Sequence, residues 1–219
     1  MTFSATRPFN NSKEAYVLVV GESLRYDNLS LAGYGRKTTP LLETLDNLTL
    51  FSDYYSAANL TMYSVPQIVT RATADNFVLN YQEKSIIYPF KECGFKTYAI
   101  SADNLICNQA YRYLVKGCDG IYNYDSVEDY RIASIVDSLS NIYPKTFFIV
   151  QFFGNHSPYR NFKKEQNVFR PNPVYDDVPW TNHEAMVNAY DNTVLFTDYN
   201  VYHIIKAIDK PEYQSALIM

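Results

Sequence analysis

The chain has 219 residues, 47% of them hydrophobic, and a formal net charge of −4. That length suits one large domain with a substantial core. The charge, and the lack of any basic run, leave no electrostatic reason to expect a nucleic-acid partner. The longest apolar runs, around residues 16–20 and 146–153, are far too short to span a bilayer.

Residues 1–13 are polar and linker-like, with no apolar centre of the kind a signal peptide needs, and the domain is expected over residues 14–219. The first predicted strand is Tyr16-Val-Leu-Val-Val, closed by Gly21 and followed at once by Glu22 and Ser23. In α/β proteins the carboxyl ends of buried strands collect ligands and metals, and an anionic oxygen there suits a divalent cation. The other reading of Glu22 and Ser23 is an ordinary helix cap. Residues 40–46 have helical spacing, 48–55 read as a strand, and 64–70 as a helix with Pro66 in its first turn. A helix near 85–93 ends at Gly94, a strand covers 96–101, and a short helix covers 108–114. Residues 127–139 are helical, with Ile132, Ile135, Val136 and Leu139 apolar. Residues 145–153 read as a central strand buried on both faces, and 158–180 as a long polar loop of the kind that is usually functional or disordered. A long helix over 182–208 carries Met186, Tyr190, Val194, Leu195, Tyr199, Tyr202 and Ile205 on one side, and a last strand starts at Ser215. Strands separated by helices predict an α/β fold, a largely parallel or mixed sheet between helical layers. The finish at Met219 falls inside that last strand, so both ends suggest a domain cut from a longer protein.

Beyond Glu22, two places carry chemistry. Thr61 and Ser64 fall where a loop enters a helix, either as caps or as a hydroxyl nucleophile aimed from a helix N-terminus that favours an anionic phosphate. A threonine hydroxyl needs a base or a metal to ionise it, and Glu22 offers one ligand for such a metal. His156 opens the long loop directly after a buried strand, a placement that suits an active-site residue as well as a structural one; His183 and His203 read as surface or packing residues. Of the three cysteines, Cys93 reads as a small buried apolar residue. Cys107 and Cys118 flank a polar segment and could bridge in an oxidising compartment, or all three could be free thiols.

Four segments together resemble the phosphoethanolamine transferases of the alkaline phosphatase/sulfatase superfamily. They are Val17-Leu-Val-Val-Gly-Glu22-Ser with Leu31-Ala-Gly-Tyr34-Gly-Arg-Lys-Thr38-Thr39-Pro40, then Thr61-Met-Tyr-Ser64-Val-Pro66, then Gly154-Asn-His156-Ser-Pro158, and Asn188-Ala-Tyr190-Asp191-Asn192-Thr193-Val-Leu-Phe-Thr-Asp198-Tyr199. The resemblance covers residue 16 to about 208. It implies a periplasmic catalytic domain, tethered to the inner membrane by transmembrane helices that this chain lacks and expected to be monomeric. It implies Zn2+ held by Glu22 and Thr61, with phosphoethanolamine carried transiently on Thr61, and His156, Asn104 and Ser64 as substrate-binding residues. The donor would be phosphatidylethanolamine, the acceptor a lipid A or core-oligosaccharide group. The family's other main zinc ligands are an Asp-His pair that would fall beyond Met219, so the chain as given is expected to hold zinc weakly and to transfer little. The cysteines that usually bracket the nucleophile are absent, which leaves Cys107 and Cys118 as the candidate bridge. Residues 105–107, Leu-Ile-Cys, stand where relatives carry polar substrate contacts. Ser64-x-Pro66 also resembles the sulfatase signature, but Ile68 stands where that motif has arginine. A phosphoglycerol transferase of the same superfamily, or a non-catalytic fragment, are the remaining alternatives.

Overall fold

The computed structural model describes residues 3–8, 11–102, 115–124 and 128–219. Five parallel strands form one sheet in the order β3-β2-β4-β1-β5: β1 Lys13–Val20, β2 Lys96–Ser101, β3 Gly120–Asn123, β4 Lys145–Gln151 and β5 Tyr213–Ile218. The α/β expectation holds, and the sheet is parallel throughout. The helices are α1 Thr61–Val69, α2 Leu79–Gln82, α3 Ile87–Glu92, α4 Ile132–Ile142 and α5 His183–Ile208.

Alternation along the strands divides the core into two layers. Ala15, Val17 and Val19 of β1 join Phe148 and Val150 of β4 and pack on Ile132 and Val136 of α4 and on Val201, Ile204 and Ile208 of α5. Val20, Phe147 and Ile149 point to the other face and pack on Val65 and Val69 of α1 and Ile87 of α3. A central strand clothed on both faces has no polar side to show, which is why β4 reads as a continuous apolar run. Phe148 is fully buried, and truncating it to alanine would cost about 3–5 kcal/mol.

Several expected elements differ. Residues 48–55 form no strand: apart from Leu48 they are exposed, with Phe51, Tyr54 and Tyr55 among the most exposed apolar side chains. Their β-rich composition finds no neighbouring strand to pair with, and composition alone does not make a strand. Residues 40–46 shorten to a 3-10 turn at Leu42–Thr44. The helix expected from residue 64 begins at Thr61, so Pro66 lies in the interior of α1 rather than in its first turn. The four-residue strand β3 was not anticipated. The short helix expected over 108–114 lies outside the described residues. The N-terminal segment lies against α3, where the backbone N–H groups of Phe3 and Ala5 donate to the Glu92 carboxylate.

Because every strand runs the same way, the chain leaves the sheet repeatedly at one edge. Val20 and Gln151 end side by side there, where the Phe152 amide donates to the Val20 carbonyl at 3.2 Å.

Candidate active site

That edge brings Glu22 and Thr61 together across 39 residues of sequence: Thr61 Oγ1 donates to Glu22 Oε2 at 2.9 Å. Leu60, not Thr61, occupies the N-cap of α1 in an extended conformation, so the Thr61 hydroxyl is not consumed in capping. It projects instead from the first turn, where amide N–H groups lack intrahelical partners and the helix dipole favours an anion. The Ser64 amide is already bonded to the Leu60 carbonyl, and its side chain stands one turn into the helix on the same element.

Glu22 is aimed by a tight turn. Ser23 has φ of +56°, a left-handed conformation that costs a non-glycine residue about 1–3 kcal/mol, and Ser23 Oγ donates to Glu22 Oε1 at 3.0 Å. Tyr190 of α5 clamps this turn. Its hydroxyl donates to the Ser23 carbonyl and accepts from the Arg25 amide, both at 2.9 Å. Burial pushes the Tyr190 phenol up to about 12, so it keeps the proton that this clamp requires.

On the other side of Glu22 the turn after β4 approaches backbone to backbone. The Asn155 amide donates to the Glu22 carbonyl at 3.0 Å. Gly154 has φ of +54°, and a Cβ there would lie 3.1 Å from the Glu22 carbonyl oxygen, so glycine is required for the approach. Buried Asp129 accepts from the Phe153 and Gly154 amides and from Asn161 Nδ2, which also donates to the Gly154 carbonyl. Asn155 in turn donates to Thr193 Oγ1 and accepts from Thr197 Oγ1. His156 follows this pinned pair and is exposed at the same edge, its Nδ1 2.6 Å from the Ser157 carbonyl oxygen.

The structure thus assembles Glu22, Thr61 and the His156 turn at one edge. Asn104 and Cys107 lie outside the described residues, and with Cys107 the expected pairing to Cys118. Cys118 itself is present as a thiol whose pKa burial raises to about 12. His203 packs on the Tyr199 ring at 4.3 Å, in keeping with a packing role. A cavity of about 540 Å³ lined by Arg7, Tyr16, Phe90 and Phe95 opens beside Glu14 and Gln214, at the strands' opposite ends, and has no part in this site.

The long helix departs from its expected apolar stripe. Met186, Tyr199, Tyr202 and Ile205 are only half-buried, while Asn188, Asp191, Asn192, Thr193, Thr197 and Asp198 are interior. Each of these polar groups holds a loop. Asp191 accepts from Asn28, Tyr34 and Arg36, Asn192 binds Val168 and Phe169, and Asp198 accepts from the Leu41 and Leu42 amides. Burial pushes the Asp198 carboxyl up to about 6 against those two amides. Tyr190 and Asp129 are the supports of the site that residue-by-residue reading missed. Tyr190 falls on the side of the long helix that periodicity marks, where nothing local distinguishes a clamp from packing, and Asp129 carries no local signal.

A cation is compatible with this oxygen pair. The carboxylate and hydroxyl oxygens lie within the span of one coordination sphere, and hard oxygen donors suit a divalent ion. Among the described residues no cluster of three or more His, Cys, Asp or Glu completes a shell.

The profile of the Sulfatase family matches residues 14–219. Phosphoethanolamine transferase EptA of Helicobacter pylori is 31% identical over 223 residues, 95% of this chain and 41% of the relative. Phosphatidylethanolamine transferase Mcr-1 of Escherichia coli is 27% identical over 89% of this chain and 39% of its own. The chain therefore spans about two-fifths of the length of these curated relatives. The crystal structure of the C-terminal periplasmic domain of EcEptC from Escherichia coli, in complex with Zn, superposes with a TM-score of 0.82 at 28% identity, over 95% of this chain and 63% of that one. The soluble domain of lipooligosaccharide phosphoethanolamine transferase A from Neisseria meningitidis shares the fold, with a TM-score of 0.82 at 22% identity over 97% of this chain and 67% of that one.

Proposed function

The chain belongs to the sulfatase family, and from that premise we propose that it is the catalytic domain, or part of one, of a phosphoethanolamine transferase working on the periplasmic face of the bacterial inner membrane. The donor is phosphatidylethanolamine and the acceptor a lipid A or core-oligosaccharide group. Residues 14–219 form part of that domain, which acts as a monomer. The observation that carries this reading is the Thr61 hydroxyl hydrogen-bonded to Glu22 at the head of a helix, in a chain whose relatives are named for this transfer.

Glu22 and Thr61 would hold Zn2+, which when bound supplies acidity to the hydroxyl and positive charge against the phosphoryl oxygens. Glu22 fixes the Thr61 oxygen and orients its lone pair away from the carboxylate. Thr61 Oγ1 loses its proton to solvent and attacks the donor phosphorus, the bond from phosphorus to the diacylglycerol oxygen breaks with that oxygen taking up a proton, and Thr61 is left carrying phosphoethanolamine. An acceptor oxygen then gives up its proton to solvent and attacks the same phosphorus, the bond to Thr61 breaks, and the Thr61 oxygen takes a proton back. The first amides of α1 face the phosphoryl oxygens, Ser64 and Asn104 contact the substrate, and His156 lies on its exposed side.

The test is covalent labelling. The chain, carried within a full-length transferase, is incubated with Zn2+ and a fluorescent phosphatidylethanolamine analogue, and its peptides are mapped by mass spectrometry. A phosphoethanolamine adduct is expected on Thr61, and none in Thr61→Ala. An adduct on another residue, or release of diacylglycerol with no dependence on Thr61, overturns the assignment.

A further inference from the structure

Arg160 differs from every other described arginine. Each of the rest has a carboxylate within ion-pair distance, whereas Arg160 has none among the described residues. Its guanidinium lies over the ring of Trp180, 5.3 Å from the centroid, while the side chain remains exposed. Stacking on an aromatic face restrains a guanidinium but leaves its in-plane N–H donors unspent, and those donors match the fork of a phosphate or carboxylate. Three residues on, Lys163 repeats the pattern, its ammonium over the Tyr130 ring and without a carboxylate partner among the described residues.

The cation is tied to the candidate site through its neighbours. Tyr159 meets the Tyr190 ring edge-on at 5.2 Å, and Tyr190 holds the carbonyl of Ser23, next to Glu22. Asn161, on the other side of Arg160, is bonded to Asp129 and to the Gly154 carbonyl. Arg160 therefore stands on a segment fixed at both neighbours to the two turns that position Glu22.

The geometry points to Arg160, steadied by Trp180, as an anion-binding residue for the acceptor, taking a phosphate or carboxylate on the molecule that receives phosphoethanolamine. This rests on the transferase reading above. A zwitterionic donor head also carries a phosphate, but its ammonium would be repelled by Arg160 and Lys163, whereas an anionic acceptor meets no such opposition.

Trp180 is the chain's one tryptophan, so its fluorescence reports on this site directly and independently of turnover. The chain is titrated at fixed ionic strength with N-acetylglucosamine 1-phosphate, with N-acetylglucosamine, and with glycerophosphoethanolamine as the donor head. A saturable change is expected with the sugar phosphate at roughly millimolar concentration, none with the neutral sugar, and binding about tenfold weaker for glycerophosphoethanolamine. Arg160→Lys should weaken sugar-phosphate binding about tenfold through loss of the fork, and Arg160→Ala should abolish it with unchanged circular dichroism. Sugar-phosphate binding that is absent, or that survives Arg160→Ala, overturns the proposal. Glycerophosphoethanolamine binding as tightly and depending equally on Arg160 would move the residue to the donor side and overturn the acceptor assignment. Failure of Thr61 labelling with these titrations intact would count against the transferase reading alone.

Discussion

Glu22 and Thr61 share one hydrogen bond but are held by unlike surroundings. The backbone around Glu22 is gripped by buried groups: Tyr190 on the Ser23 carbonyl and the Arg25 amide, and Asn155 on the Glu22 carbonyl. Thr61 instead follows a segment without regular structure in which Phe51, Tyr54, Tyr55 and Leu60 are exposed, and its hydroxyl takes its direction from Glu22. The carboxylate side is thus the fixed reference of the pair and the hydroxyl side the adjustable one. A buried, hydrogen-bonded polar network opens only with the fold around it, while a segment with few buried contacts opens cheaply.

The largest expected effect falls on the pair itself. Thr61→Ala should abolish transfer, and Glu22→Gln should lower it about 10²–10⁴-fold, with far-UV circular dichroism unchanged in both; a Glu22→Gln variant with near-normal rate would remove Glu22 from the chemistry. Next comes the clamp. Tyr190→Phe deletes the hydroxyl that serves Ser23 and Arg25 and should cost about 1–2 kcal/mol of stability and roughly tenfold in transfer. Leu60→Ala, on the exposed side, should stay within about 0.5 kcal/mol. Equal losses from the two, measured by denaturant titration, would erase the contrast between the halves.

A pH effect is expected from Asp198. Its folded pKa of about 6 lies above the ordinary carboxylate value because burial disfavours the charged form. The stabilisation from its protonated form is therefore complete below the unfolded value near about 4 and is lost as pH rises through about 6. Asp198→Asn cannot serve both amides and removes this titration. The melting-temperature gap between the parent chain and the variant should be widest near pH 4 and narrow towards pH 7; a gap independent of pH would place the titration elsewhere. The smallest effect concerns Ser23. Glycine there relieves the left-handed strain but loses the hydrogen bond to Glu22, so Ser23→Gly should shift stability by less than about 1 kcal/mol while lowering transfer several-fold, as read by unfolding and labelling rates side by side.

What was legible in the chain follows from how local each feature is. β1, β2 and β4 declare themselves by apolar runs, and the turns after them by Gly21 and by the polar cluster from Gly154 onward. Glu22 and Thr61 could be named because each follows a strand or opens a helix, and because the motif resemblance links them. Their hydrogen bond is a tertiary fact that no window of sequence holds. Asp129 was out of reach for the same reason: its partners at 153, 154 and 161 are distant in the chain. Residues 48–55 misled because alternating apolar and aromatic residues describe the strand a segment could make, not whether a neighbour awaits it. In α5, period alone marked an apolar stripe, whereas Asn188, Asp191, Asn192 and Asp198 became interior by finding partners in loops.

That polar face of α5 has a consequence for how the molecule melts. Loops ordinarily loosen before the elements they connect, so heating erodes a domain from its surface inward. Here the connections around Asn28, Leu41 and Phe169 are fastened to the middle of the most deeply buried helix. They have no cheap local opening of their own, because releasing one strands a buried acceptor or donor on α5. Hydrogen exchange should therefore show the amides of Leu41, Leu42 and Phe169, loop residues by position, exchanging on the slow clock of the helix and in one cooperative step with it.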